Sequence, residues 1–396
     1  MSRLYVDCER STHSMKFTQI LLKSLKEMCF LLFAIMTSYD ALVKNVLSST
    51  LNVQAGDDVI VETWDHGLPI AGNFVYQLRE LGAHPMLLLE NEQIFWKSAD
   101  SLSDERLGMI GEHEWAAIEK SKAYVFIPGP ADFGRIWKNR AKFGASTAYN
   151  AEWYQRAERY RLKAARIGLG YATEQRARAF KVSLAAWQRM LLAASTVEFT
   201  ELEEKVRRVA SMLQNGAVKI TAPDGTDLNL RLAGRTPFQD DCIVDTDDLD
   251  HGRNVVNIPG GDVLACPDET YAEGTVAFDR PAQFMGKWIG KVGLDFDNGR
   301  LTKYRAALNA GSLRESYEKA TGEKNKIAVV GVGVNPKART GFLQDSLASG
   351  VVTIGIGGND DIGGANKTDF YFAGVLTRAT LTVDGKTVVE NGKLKI

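Results

Sequence analysis

Residues 254–281 read NVVNIPGGDVLACPDETYAEGTVAFDRP, and the reading of this stretch decides the fold. Val255, Val256 and Ile258 form a short apolar strand. Pro259-Gly260-Gly261 breaks it, and Asp262 opens the next apolar run, Val263-Leu264-Ala265-Cys266. The double glycine places Asp262 where backbone can approach a ligand. Asp268, Glu269 and Glu273 then precede Gly274 and the strand-like Thr275–Phe278. Four carboxylates in so short a span form either an acidic pocket or a solvated loop, and their polarity favours the loop for 268–273.

Upstream of this stretch, strand and helix signals alternate. Leu42, Val43, Val46 and Leu47 have helical spacing, and Val59–Thr63 reads as a strand. Pro69–Leu81 reads as an amphipathic helix, Pro85–Leu89 as a buried strand, Glu114–Ser121 as a helix and Ala123–Ile127 as a strand. This alternation predicts a parallel α/β sheet with crossover helices. The C-terminal ends of such strands often carry ligands, which singles out Glu62, Asp65 and His66, although a loop position alone explains His66 more simply. Without a GxGxxG turn, a dinucleotide is not expected.

Between Arg135 and Arg189 the chain is basic and helical, with aromatics interleaved from Trp137 to Tyr160, among them Tyr149, Trp153 and Tyr154. Such a patch suits single-stranded nucleic acid or an anionic substrate. Pairing with the acidic run at 240–250 explains it more simply, so no nucleic-acid partner is expected. Phe180–Leu213 reads as two helices, the second capped by Thr200-Glu201-Leu202-Glu203.

From Asn215-Gly216 onward strand patterns dominate. Hairpins are expected over Val218–Leu232 and Ala379–Val389, and a helix over Ser312–Thr321. Three glycine-punctuated strands, Ile327–Gly333, Val351–Gly358 and Asp369–Val375, carry small residues that let them close around a shared cavity.

With 45% hydrophobic and 24% charged residues and a net charge of -1, the chain has an ordinary globular composition that calls for neither nucleic acid nor membrane. Its four cysteines show no CxxC spacing, which argues against a zinc cage or disulfide framework and fits a reducing, cytoplasmic setting. The apolar run at 29–36 is too short to span a bilayer. Residues 1–35 are expected to be an N-terminal extension, 36–135 an α/β domain, and 136–396 a helical segment with a β-rich domain bearing the active site.

The NIPGGD turn, the AEGTVAFD strand, GVGVNPKART, TIGIG and DFYFAG together resemble the thermophilic leucyl aminopeptidase (aminopeptidase T) family, from about Met36 to the C-terminus. The resemblance implies an α/β fold, with an N-terminal parallel α/β domain and a C-terminal mixed α+β domain. It also implies a cytosolic homodimer that releases N-terminal residues from peptides with paired divalent metals such as zinc, cobalt or manganese. Matched by position, the family's first metal-binding Glu falls on Asp262, its second Glu on Val329, its strand His on Thr353, and its closing His-x-Asp pair on Tyr371 and Ala373.

Since the match leaves only Asp262 of the family's ligands, a metal site is expected to be rebuilt from Asp262, Glu269 and Glu273 with Asp360 or Asp361. Asp262 and Glu273 are the expected ligands, and Glu269 as base, Tyr371 as oxyanion donor and Thr353 are the expected catalytic residues. The activity expected is that of an aminopeptidase-like hydrolase. The alternative is a metal-free, redirected or inactive dimer that binds a peptide or small molecule. A ring-cleaving iron dioxygenase also resembles this family, but an iron triad needs two histidines, and no histidine follows His251.

Overall fold

A computed structural model describes residues 39–138 and 144–396, with side chains outside 137–148. The expected extension at 1–35 lies outside the described residues, as do Cys8, Cys29 and Phe143.

The first half follows the α/β expectation. Strands β1 (Asp58–Trp64), β2 (His84–Glu90), β3 (Ala123–Ile127) and β4 (Lys163–Ile167) alternate with helices, among them α1 (Leu68–Leu81). Proline in the first turn starts α1, and Gly82, at φ 82°, ends it in the left-handed region that glycine enters without strain. After β4, the helices α2 (Leu184–Ala194) and α3 (Phe199–Met212) lead to the hairpin β5 (Asn215–Ala222) and β6 (Thr226–Ala233), then β7 (Phe238–Asp240). Helix α3 begins at Phe199, a residue before the expected cap, and no side chain caps it.

The decisive stretch supplies β8 (Val255–Ile258), β9 (Asp262–Ala265) and β10 (Pro267–Ala277). Beyond it come β11 (Ala282–Phe284), β12 (Lys287–Ile289), β13 (Gly293–Asp297), β14 (Arg300–Arg305), α4 (Ala310–Lys319), β15 (Ile327–Gly333), β16 (Val352–Gly357), β17 (Tyr371–Leu376), β18 (Thr380–Val383), β19 (Lys386–Glu390) and β20 (Lys393–Leu394).

These strands form a parallel sheet ordered β2-β1-β3-β4-β8, two large antiparallel sheets and the small antiparallel pair β11-β12. Of the large antiparallel sheets, one runs β14-β13-β10-β6-β5-β18-β19-β20 and the other β17-β16-β15-β9-β7. One apolar core, with Val59, Trp187, Ile220 and Val352 among its members, runs through the three larger sheets. The expected division at 135 falls between β3 and β4, neighbours in one sheet, and β8 returns to that sheet from residue 255.

Two expectations fail for physical reasons. Residues 268–273 are not a loop: they belong to β10, whose register shifts between Pro267 and Ala272 against β6, so a polar sequence sits inside a ladder. Pro85–Leu89 is not buried. It belongs to edge strand β2, with β1 on one side only, and Met86, Leu87 and Leu89 are 39%, 42% and 49% exposed.

The basic helical region pairs internally, Arg156 with Glu152 and Arg161 with Asp250. Among the described residues no helix is long and apolar enough to cross a membrane.

Candidate active site

The Pro-Gly-Gly turn aims Asp262. Asn335 fastens it, donating from Nδ2 to the carbonyls of Gly260 (2.8 Å) and Ala194 (3.0 Å) and accepting from the N–H groups of Lys337 and Ala338. Gly261 has φ 117°, and a Cβ there would lie 2.7 Å from that of Asn335. A Cβ on Gly260 would lie 2.5 Å from Asp240 Oδ1. The close approach that the glycines permit is thus to Asn335 and Asp240 rather than to a ligand.

Register then sets the face. Gly333 opposes Asp262, Gly331 opposes Leu264 and Thr353, and Gly355 opposes Val329 and Ala373. Tyr371 opposes Gly357. Opposed residues share a face and side chains alternate along a strand, so Asp262, Val329, Thr353, Tyr371 and Ala373 all point to one side of this sheet. Glycine at 331 and 355 leaves room there. A Cβ at 355 would sit 2.8 Å from Val329 Cγ2 and 3.2 Å from the Tyr371 hydroxyl.

Over this face lies a cavity of about 220 Å³. Asp262, Thr353 and Tyr371 line it with Trp288, Phe342 and Ser346. Asp262 is buried, and that burial pushes its carboxyl up to about 6 against the pull of a Ser346 hydrogen bond. Its cross-strand neighbour Asp240 is also buried, with Oδ1 unpartnered; burial and then the Asp262 charge raise it well above the usual range. Thr353 Oγ1 is buried without a partner. Tyr371 is partly exposed, yet burial of its phenol, then Asp262 and Asp361, raise its pKa. Asp345, also in the lining, is occupied in accepting the N–H groups of Gly341 and Phe342. No lysine or arginine lines the cavity.

Glu269 and Glu273 stand apart from this cavity, contrary to expectation. Both Glu269 oxygens are held by Arg235, which places Nη2 2.8 Å from Oε2, and Oε1 also accepts from Ala365 N at 2.9 Å. Burial opposes ionisation, but these donors overcome it and hold Glu269 at about 2, so it is a fixed anion in a clasp and a poor base. Glu273 accepts from Asn298 N at 2.7 Å and fastens the β13–β14 turn. Asp240 was missed as a neighbour of Asp262 because the register that pairs them is not written in either local sequence.

The model of the thermophilic metalloproteases, M29, matches residues 37–325. The chain belongs to this family. Family membership supports a peptidase-like function and implies divalent metal use in general. Among solved structures, the chain resembles wild-type AmpT from Thermus thermophilus, with TM-score 0.67 at 17% identity over 91% of this chain and 99% of that one. It also resembles a 2,5-dihydroxypyridine dioxygenase from Pseudomonas putida, with TM-score 0.58 at 14% identity over 91% and 96% of the two chains. At these identities the likeness is one of fold. No curated protein matches.

The donor set does not fit the family's metals. Two adjacent divalent ions need several carboxylate or imidazole ligands converging at once. The hollow offers the Asp262 carboxylate, with Asp240 at its side, the hydroxyls of Thr353 and Ser346 and the Tyr371 phenol, while Asp345 is taken up by backbone N–H groups and Val329 and Ala373 are hydrocarbon. Among the described residues, no group of three or more His, Cys, Asp or Glu side chains is placed to hold a metal.

Proposed function

We propose that the hollow captures the amino-terminal end of a peptide, with Asp262 receiving the α-ammonium and Trp288 and Phe342 lining the space for the first side chain. The observation that carries this reading is the charge of the cavity. A buried carboxylate faces an open space whose lining holds no lysine or arginine, so a cation from outside is the partner that satisfies it. With its pKa near 6, Asp262 is mostly ionised at neutral pH and ready to accept one.

Release of the terminal residue, which the resemblance implies, needs ligands that Val329, Thr353, Tyr371 and Ala373 do not supply. The reading therefore stops at peptide capture by a peptidase-like scaffold, the metal-free alternative. The cytoplasmic location and homodimer implied by the resemblance belong to the same proposal, and light scattering tests the second. The function is tested by titrating peptides with free and acetylated N-termini into wild-type protein and Asp262→Asn, alongside a turnover assay with added zinc, cobalt or manganese. Capture predicts binding of the free N-terminus only, lost in the variant, and no metal-stimulated release. Metal-stimulated release of the first residue would overturn the metal-free part of the reading.

A further inference from the structure

A second cavity lies on the parallel sheet, lined by residues of β1, β3 and β4 and by Val255 of β8, and it shares no lining residue with the Asp262 hollow. One face of β1, β3 and β4 carries Ile60 and Glu62, Tyr124 and Phe126, and Ala164 and Arg166, brought level by the registers Glu62↔Phe126 and Phe126↔Arg166. The helices at Glu112–Lys120 and Gly144–Arg159 cover this face with Trp115, Tyr149 and Trp153. Between these helices and the sheet face lies a cavity of about 110 Å³, several times the space one water needs.

Six side chains give this cavity its chemistry: Glu62, Tyr124, Tyr149, Trp153, Tyr154 and Arg166. Trp153 meets both Tyr124 and Tyr154 edge to face, with ring centroids 5.3 Å apart in each case. Glu62 accepts a hydrogen bond from the Tyr124 hydroxyl. Arg166 Nη2 donates to the Tyr154 hydroxyl at 3.2 Å. Glu62 and Arg166 line the same space from strands two positions apart, about 10 Å between backbones. Among the described residues neither has an ion-pair partner. Two opposite charges thus face an aromatic-walled hollow without neutralising each other.

We propose that this cavity binds a free α-amino acid, its ammonium held by Glu62 among the aromatic rings and its carboxylate by Arg166. Each half of a zwitterion meets a matching group. A carboxylate with aromatic faces beside it is a strong ammonium site, because the rings add their negative faces to the charge. A guanidinium has spare N–H donors for a carboxylate after serving one phenol. Trp153 and Phe126 leave an apolar wall for a side chain. A simple anion is disfavoured, since Glu90 and Glu114 add negative charge near Glu62. A simple amine would leave Arg166 unanswered. Burial, with those two acids, holds Glu62 at about 7, so its carboxyl is mostly ionised in mildly alkaline solution.

The inference does not rest on peptide capture at Asp262. Its test is calorimetric titration of the full chain at about pH 8, above the Glu62 pKa, with leucine, isoamylamine and N-acetyl-leucine. The expected result is saturable leucine binding, with both analogues at least tenfold weaker. Glu62→Gln and Arg166→Gln should each weaken leucine binding at least tenfold while leaving peptide titration at the Asp262 hollow unchanged. No leucine binding at millimolar concentration, or equal affinity for leucine and isoamylamine, would overturn the proposal from the wild-type protein alone. Full leucine affinity in both variants would overturn it as well.

Discussion

Glu269→Gln separates a structural role from a chemical one. Glu269 is buried in a clasp with Arg235, whose side chain is 30% exposed against 7% for the glutamate. Its pKa of about 2 lies well below the ordinary glutamate value of 4.5, which corresponds to about 3 kcal/mol of stabilisation by the ionised form. Because the folded value is depressed, this stability is present in full above about pH 4.5 and is lost as pH falls through about 2. The neutral amide removes the charge at every pH. Chemical denaturation at pH 7 should therefore show Glu269→Gln destabilised by about 3 kcal/mol with an unchanged denaturant slope, and the deficit should shrink toward pH 2. Affinity for a free peptide N-terminus should stay within about twofold of wild type, since Glu269 lies outside the hollow. Wild-type stability combined with lost peptide binding or turnover would refute the clasp and restore Glu269 as a base.

Other outcomes follow from the same geometry. Asp262 is raised to about 6, so its ionisation opposes folding above its unfolded value; Asp262→Asn should stabilise the protein at pH 7 by about 3 kcal/mol, less at pH 5, when unfolding is followed at both. Gly261→Ala meets Asn335 and a φ of 117°, and should cost about 2 kcal/mol or more by thermal unfolding and weaken peptide binding by displacing Asp262. Restoring the family's ligands with Asp262→Glu, Val329→Glu, Thr353→His, Tyr371→His and Ala373→Asp should raise metal content after dialysis from substoichiometric toward two equivalents, as elemental analysis would read. Equal metal content in wild type and this variant would show that the present donors already suffice.

The face that holds the hollow was legible because its signal is local. Glycines at 331, 333, 355 and 357 punctuate apolar strands, and period-two alternation puts Val329 on the glycine face of its strand and Thr353 on the glycine face of its own, which the register then joins. Asp262 was legible because a double glycine before an acid marks a turn into a strand. Glu269 was misplaced because its partner Arg235 is remote in sequence, and nothing in PDETYAE distinguishes a clasped acid from a solvated one. Likewise the apolar run Pro85–Leu89 states that a strand forms, but not that it lies at an edge. Strands β4 and β8 join the parallel sheet across a long excursion that carries the β5–β6 hairpin, so the boundary drawn at 135 followed composition where the sheet follows topology. The interleaved aromatics at 149–154 were visible as a pattern, but only the packing against β1, β3 and β4 turns them into a cavity wall around Glu62.

The central claim is that Asp262 holds a peptide's ammonium in a hollow that works without metal. It is tested most directly by calorimetric titration of one peptide, with its N-terminus free and acetylated, into protein dialysed against chelator. The account predicts saturable binding of the free peptide, no binding of the acetylated one, and no binding of either by Asp262→Asn. Equal binding of both peptides, or binding that appears only after zinc, cobalt or manganese is returned, would contradict it.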